Sequence, residues 1–485
     1  MMAMMTALVA IVVLVTTLVP VVSFRTASLK RTSLSPAVTY VPMASSTTTP
    51  TPTPEGILGT IQGVAKVFSG AAQYIVKQPV RIQYATAMST RFAFFLLQNV
   101  GVSYLFSSKK VTDEKEESKR TPIDPVLVIR AVVDAILSEG GESSVGMFAD
   151  KISAEINPSS SSSSDPSTTE RTRLSPDEQV EFFKKNFVSI IGVLKDDLNN
   201  IEQGIYKFPY DLDPTKTPSQ WSPISVLKQF TDYASDRQKV IERSDRRDGL
   251  EIQRNFKSSK YPDYYLQNYH YQTDGWLSAK SAELYDYQVE SLFLGTADSM
   301  RRGILPSINA FMSDRDPADT KLLDLATGTG RFISFVMDNY RDLDVTVMDL
   351  SPFYLAEAKK TLRHFESSVT FVEGAGEEMP FEDSSFDAIT CVYMFHELPM
   401  EVRVKVVKEM CRVLKPGGKL FFVDSAQKNE VPYEGVLKGF TIIAHEPYYL
   451  NYTEMDLDAL FESNGFSVEN KAVNWVSKCV TALKK

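Results

Sequence analysis

The clearest hydrophobic pattern in the chain lies at residues 321–332. Leu322, Leu323 and Leu325 form an apolar run interrupted only by Asp324, which predicts a buried strand. A turn of small residues follows, and a helix is predicted to begin near Arg331. A second apolar run at 345–350 predicts the next strand. This strand–turn–helix–strand order is typical of a doubly wound α/β sheet.

Upstream, the apolar positions follow a helical period instead. Ser175 and Pro176 suit a helix N-cap and first turn, and Glu178 completes a capping box. The stripe that follows has core spacing: Val180, Phe183, Phe187, Ile190, Ile191, Leu194, Leu198 and Ile201. We therefore interpret 111–260 as a helical accessory module, with a disordered serine-rich loop at 158–169.

The spacing of the glycines narrows the choice of ligand. Gly328 and Gly330 allow backbone N–H groups to approach a polar ligand closely. The dinucleotide fingerprint needs a third glycine where this chain has Ile333, which disfavours NAD and FAD. Asp349 ends the second predicted strand, 19 residues after Gly330, where a carboxylate can accept both hydroxyls of a ribose.

Taken with four further motifs, this region resembles the class I S-adenosylmethionine (SAM)-dependent methyltransferases. The similarity is greatest to the small-molecule, type 11 branch that includes ubiquinone/menaquinone C-methyltransferases, and to plastid-type proteins of plants and algae. The motifs follow the family's order, at 373–381, 385–396, 412–418 and from 464 to the C-terminus. The resemblance implies a seven-stranded Rossmann-like core at 296–485 and SAM as the cofactor.

The resemblance also implies roles for individual residues. A general base is needed only if the acceptor loses a proton. The candidates are His396, followed by Glu397, and His445, followed by Glu446. The alternative for His396 is a capping or packing role. Ala326 stands where glycine is commoner, which is tolerated if φ stays negative. No ligand spacing indicates a metal. The expected cofactor-binding residues are Asp324, Ala326, Gly328, Gly330, Asp349, Leu350, Gly376, Glu377 and Tyr393.

The N-terminus has the composition of a targeting sequence. Residues 1–23 suit a signal peptide, and 24–48 are basic, hydroxyl-rich and acid-free, as in transit peptides. With Phe24 at the junction, the pair resembles the bipartite presequences of algae with secondary plastids, so we expect a plastid location. The alternative is a secretory or membrane-anchored protein. Residues 49–110 form a linker and an apolar segment, of which 56–106 either contacts a membrane surface peripherally or packs as a buried helix.

Residues 261–295 are rich in tyrosine and precede the predicted core directly. In the resembled family, such segments fold over the cofactor and help form the acceptor pocket. We expect an aromatic lid that excludes water and binds an apolar or planar acceptor. The alternative is that these side chains attach the accessory module to the core.

The net charge and the cysteine content argue against a nucleic-acid-binding, zinc-binding or disulfide-stabilised protein. The net charge is −9 and the presequence contributes only positive charges, so the body of the protein is acidic, which argues against nucleic acid as a substrate. Cys391, Cys411 and Cys479 give neither zinc spacing nor a disulfide framework. The expected function is methyl transfer to a small, lipophilic acceptor. The rivals are a non-catalytic assembly factor and a methyltransferase acting on a plastid protein.

Overall fold

The computed structural model describes residues 78–107, 132–133, 135–137, 176–213, 223–256, 258, 260–431, 437, 440–441 and 444–485. The predicted signal peptide, transit sequence and serine-rich loop lie outside these ranges. The predicted plastid location therefore stays a prediction.

One seven-stranded sheet organises the C-terminal half, in the order β3-β2-β1-β4-β5-β7-β6. The first five strands pair in parallel, and β7 runs antiparallel to both of its neighbours. This confirms the predicted α/β Rossmann-like fold. The strands are β1 Lys321–Leu325, β2 Asp344–Asp349, β3 Val369–Glu373, β4 Phe386–Val392, β5 Leu414–Ser425, β6 Phe466–Asn474 and β7 Ser477–Lys484.

Helices cover the sheet and extend it towards the N-terminus. Short 3-10 segments, at Tyr269–Tyr271, Pro317–Asp319, Arg363–Ser368 and Phe395–Glu397, join the longer elements. The described α-helices are α1 Val80–Ser107, α2 Pro176–Glu202, α3 Pro223–Arg246, α4 Glu251–Asn255, α5 Ala279–Leu292, α6 Ala297–Arg302, α7 Leu305–Met312, α8 Arg331–Asn339, α9 Pro352–Leu362, α10 Met400–Val413, α11 Tyr449–Glu454 and α12 Leu457–Glu462.

The N-terminal helices share a hydrophobic core with the sheet. Tyr84 and Phe92 of α1 and Phe187 of α2 are almost fully buried, in the same cluster as residues of β1, β2 and α8. The ring centroids of Phe92 and Phe187 lie 5.7 Å apart, edge to face. Within the apolar segment predicted at 56–106, most of the described side chains between residues 84 and 98 are thus packed against protein. None of the helices in the described ranges is long and apolar enough to cross a membrane.

Buried ion pairs also join the N-terminal helices to the helices around the sheet. Asp197 of α2 accepts hydrogen bonds from Arg302 of α6 at 2.9 and 2.5 Å and from the Tyr84 hydroxyl at 2.6 Å. Arg331, the first residue of α8, bonds Asp298 and Asp211, and Arg91 of α1 bonds the same two carboxylates. The helix that follows the glycine turn is therefore bonded to Asp211, which precedes the core in the sequence, and shares Asp211 and Asp298 with Arg91 of α1.

Candidate functional site

The turn after β1 brings the backbone to the ends of the strands. Gly328 has φ +56°, and a Cβ added at this position would meet no atom within 4 Å, so it faces open space. Gly330 is the left-handed N-cap of α8 and packs on α9, where a Cβ would lie 3.2 Å from Ala358 and Leu362. Both glycines are required, the first for access and the second for packing. Ala326 has φ +56°, contrary to the negative φ that the sequence analysis required for alanine.

Asp349 stands opposite this turn at the end of β2. Its carboxylate accepts hydrogen bonds from the N–H groups of Gly328 and Ser351, both at 2.8 Å. Burial raises the pKa of Asp349 to about 6, although N–H donors from Ser351, Gly328 and Leu350 oppose the rise. At neutral pH the carboxylate is ionised and can accept further hydrogen bonds.

A cavity of about 800 Å³ opens between the turn and Asp349, and we call it the cofactor cavity. Six of the nine expected cofactor-binding residues line it: Ala326, Gly328, Asp349, Leu350, Gly376 and Tyr393. The other three lie behind the lining. Asp324 is buried and accepts a hydrogen bond from Thr390 at 2.6 Å, Gly330 packs on α9, and Glu377 accepts from the Tyr264 hydroxyl at 2.7 Å.

The aromatic segment forms much of the cavity's cover. Tyr264, Tyr265, Trp276 and Tyr285 all line it, opposite the strand ends. Tyr269 is fully buried instead, stacked on Trp276 with ring centroids 4.3 Å apart. Some rings of the segment therefore line the cavity and others fix those rings in place, and the expected role in acceptor binding stays a prediction.

Two other lining residues, Met348 and Met394, were not anticipated from the sequence and contribute thioether side chains. Met348 could have been noticed because it immediately precedes the predicted ribose-binding aspartate. Glu397, paired with His396 among the base candidates, contributes a carboxylate at the exit of β4. Apolar residues at strand ends resemble core residues in a sequence, so their exposure to a cavity could not be read from it.

A second and more apolar cavity adjoins the first, and we call it the acceptor cavity. It extends over about 1560 Å³ and shares Tyr285, Tyr393 and Glu397 with the cofactor cavity. Its walls come from α1, α2, α5 and the β6–β7 turn, for example Phe92, Phe187, Val289, Phe293 and Trp475. Its polar groups include His270, His396 and Glu397.

His396 lies on the lining of the acceptor cavity but is held in an ion pair. Its Nδ1 lies 2.6 Å from an Asp424 carboxylate oxygen, and its Nε2 lies 3.5 Å from Glu397. Burial lowers the pKa of His396, but the carboxylates of Asp424 and Glu397 outweigh burial and hold it well above its usual value. These contacts favour an imidazolium that orients its surroundings over a free base.

His445 does not line either cavity. Its Nε2 lies 2.8 Å from the side-chain oxygen of Gln267, and its ring packs between Tyr269 and Tyr271. Burial lowers its pKa, although Glu397 opposes this. The catalytic roles of both histidines stay predictions.

The donor set of the cofactor cavity fits SAM. Asp349 offers acceptor atoms for ribose hydroxyls, and Leu350 and Met348 offer apolar surface for a base. The described lining contains no lysine or arginine that would balance the charge of a pyrophosphate, but contains two carboxylates and several aromatic rings. Carboxylates and aromatic faces attract a cationic sulfonium. When bound, SAM supplies an activated methyl group.

Comparison with known proteins agrees with this geometry. A family model described as a methyltransferase domain matches residues 322–418. The chain is 30% identical over 167 residues to a demethylmenaquinone methyltransferase of Thermotoga maritima, covering 34% of this chain and 68% of that protein. It is 32% identical over 155 residues to a ubiquinone/menaquinone biosynthesis C-methyltransferase of Rhizobium rhizogenes, covering 30% of this chain and 56% of the relative.

A solved SAM-dependent methyltransferase from Aquifex aeolicus is 20% identical, with a TM-score of 0.28 over 34% of this chain and 82% of that one. A similarity at this level carries no argument about function.

The glycine turn, Asp349, the strand order and the match to the Thermotoga protein agree on one assignment. The chain belongs to the class I SAM-dependent methyltransferase family.

Proposed function

We propose that this protein methylates a ring carbon of a reduced, quinone-type acceptor that carries a lipophilic tail. The observation that carries the proposal is the acceptor cavity, which is mostly apolar and continues directly from the cofactor cavity. The names of the relatives from Thermotoga and Rhizobium describe menaquinone or ubiquinone methylation, which supports the same acceptor class.

The distribution of polar groups suits an amphiphilic acceptor. Tyr285, Tyr393 and Glu397 border both cavities, so polar atoms are concentrated where the acceptor would meet the methyl group. Away from this boundary the lining is mostly apolar, with Phe92 and Phe187 on one side and Val289 on another. A ring with oxygens would bind at the boundary, and its tail would occupy the apolar part.

Tyr393 is placed to define this boundary. Its φ is +55°, an uncommon value for a residue with a side chain, and its hydroxyl lies 2.5 Å from the Ser477 hydroxyl at the start of β7. The ring is thereby fixed between the cavities. Its role in the proposal is to position the acceptor and exclude water, which is most of what methyl transfer from a sulfonium requires of a protein.

The test is transfer of a labelled methyl group from SAM to a demethylated naphthoquinol with a short isoprenoid tail. The parent protein should form the methylated product. Val289→Trp should fill part of the acceptor cavity and lower kcat/KM by about two orders of magnitude. Excluding one isoprene unit forfeits about 3 kcal/mol of apolar burial at about 25 cal/mol per Å². SAM affinity should be unchanged.

Val188→Trp is the matched control, because Val188 lies on the exposed face of α2. It should leave turnover at the parent level. If the parent binds SAM but transfers no methyl group to the naphthoquinol, the proposed acceptor is wrong. If Val289→Trp turns over normally, the cavity is not the acceptor site.

A further inference from the structure

Three side chains from separate segments converge beside the acceptor cavity. His270 lies in the 3-10 turn of the aromatic segment, Glu397 in the 3-10 turn after β4, and Glu446 just before α11. The His270 Nε2 atom lies 3.2 Å from Glu446 Oε1 and 3.7 Å from Glu397 Oε1. One ligand atom from each residue lies within 4.8 Å of the other two. Ligands about 2.1 Å from one cation are separated by about 3–4 Å, so this spacing suits a metal centre.

The Glu446 carboxylate is buried without a well-formed hydrogen bond. Its side chain is 0% exposed, and neither of its oxygens has a hydrogen-bond partner among the described residues. One oxygen of Glu397, Oε2, is also buried without such a partner. A buried carboxylate with no donor is costly, so such a group is normally paired with a cation or coordinates one.

His396, beside the cluster, is paired with Asp424 at 2.6 Å and lies farther from Glu397, at 3.5 Å. Glu397 and Glu446 are therefore the carboxylates that a cation could share, and the imidazole of His270 would complete the ligand set.

The backbone holds the three segments in this arrangement. His270 has φ +53°, a strained value for a non-glycine residue, and its N–H donates to the His445 carbonyl at 3.3 Å, next to Glu446. The Tyr269 hydroxyl donates to the Glu397 carbonyl at 3.0 Å. The strain at His270 thus occurs where the imidazole is directed at the two carboxylates.

We propose that His270, Glu397 and Glu446 form a site for one divalent cation of the Mn²⁺ or Zn²⁺ type, whose remaining coordination positions face the acceptor cavity. One imidazole and two carboxylates form a mixed nitrogen and oxygen set that suits these ions. His270 and Glu397 both line the cavity, so the cation is accessible from it. Resting on the proposed function, the ligand that completes the coordination is a hydroxyl oxygen of the acceptor ring.

No pattern in the sequence indicates this site, and no metal was expected from it. The three ligands are separated by more than 40 residues at each step, so no short motif connects them. Only the packing of the aromatic segment on the exit of β4 brings them together.

The first arm of the test measures metal binding alone. Titrating the full-length protein with Mn²⁺, followed by calorimetry and electron paramagnetic resonance, should show one site per chain. Glu446→Gln should weaken binding at least tenfold while the metal-free protein remains folded. Glu454→Gln, an exposed position on α11, should bind Mn²⁺ as the parent does. Absence of saturable binding of both Mn²⁺ and Zn²⁺ to the parent would overturn the site.

The second arm tests the assigned ligand. Adding the naphthoquinol to the Mn²⁺-loaded parent should change the resonance spectrum, since an acceptor oxygen would enter the coordination sphere. A bound metal whose spectrum does not respond overturns the acceptor contact. Because the first arm uses neither SAM nor acceptor, its result is independent of whether the proposed function is correct.

Discussion

At the scale of single residues, the site is built from side chains held in unusual backbone conformations. Ala326, Tyr393 and His270 all have φ between +53° and +56°, where non-glycine residues carry about 1–2 kcal/mol of strain. All three lie at a cavity lining. The sequence predicted Ala326 as a departure from the family pattern, but its conformation depends on the whole turn and could not be read from one residue.

Asp349 should make SAM binding dependent on pH. Its pKa is raised to about 6, and the ribose hydroxyls would bond the ionised carboxylate more strongly than the protonated acid. The affinity should therefore be constant above pH 7 and fall below pH 6, by at most about tenfold per pH unit. Asp324, buried behind the turn with a pKa also raised to about 6, is a second group that titrates there. Calorimetry from pH 5 to 8 measures the effect.

The substitution Asp349→Asn distinguishes the contribution of Asp349 to the pH dependence from that of Asp324. It should weaken SAM binding at pH 7.5 by about 2–4 kcal/mol, because the amide carries no charge, keeps only one acceptor oxygen, and places its NH2 group against the N–H of Gly328 or Ser351. It should also remove most of the pH dependence. Asp344→Asn, at the exposed start of the same strand, should change neither. An affinity that is flat from pH 5 to 8 in the parent would remove Asp349 from the cofactor site.

At the scale of elements, a network of buried ion pairs around Arg91 and Asp298 determines how the N-terminal helices contribute to the site. Arg91 of α1 contacts Asp211, Glu290 and Asp298, and Asp298 in turn bonds Arg331 of α8. The sequence predicted the helices from their apolar stripes. It could not predict this network, since buried and solvated charges look alike in a sequence and the partners are more than 100 residues from Arg91.

Arg91→Met should strongly destabilise the protein. The substitution keeps an apolar stem but leaves Asp211, Glu290 and Asp298 with only Arg301 and Arg331 to balance them. Removing one partner of a buried ion pair costs about 3–5 kcal/mol. Denaturant unfolding of both proteins measures the difference, with the slopes compared to verify that the same transition is followed.

Arg81→Met on the same helix is the control, because Arg81 forms an exposed pair with Glu202. Exposed pairs contribute about 0–1 kcal/mol. If the Arg91 substitution costs no more than the Arg81 substitution, the network does not anchor α1. Since Phe92 lines the acceptor cavity, a loosened α1 should also raise the KM for the acceptor more than that for SAM.

At the scale of the whole molecule, the sheet provides the cofactor cavity and the additional helices enclose the acceptor cavity. The first strand, the glycine turn and the position of Asp349 were predictable because local patterns determine them, whereas the seven-stranded core followed from the family resemblance. The acceptor cavity was not predictable, because Phe92, Phe187 and Val289 occupy ordinary core positions in their helices. The packing of elements that are far apart in the sequence determines which apolar residues face a cavity.

The most direct test of this account is a crystal structure of the protein with S-adenosylhomocysteine and the demethylated naphthoquinol. The ribose hydroxyls should bond Asp349, and the sulfur should lie at the boundary formed by Tyr285, Tyr393 and Glu397. The ring should lie on the other side of that boundary, with its tail between Phe92 and Val289. A cofactor bound away from Gly328 and Asp349, or a ring bound outside the acceptor cavity, would contradict the account.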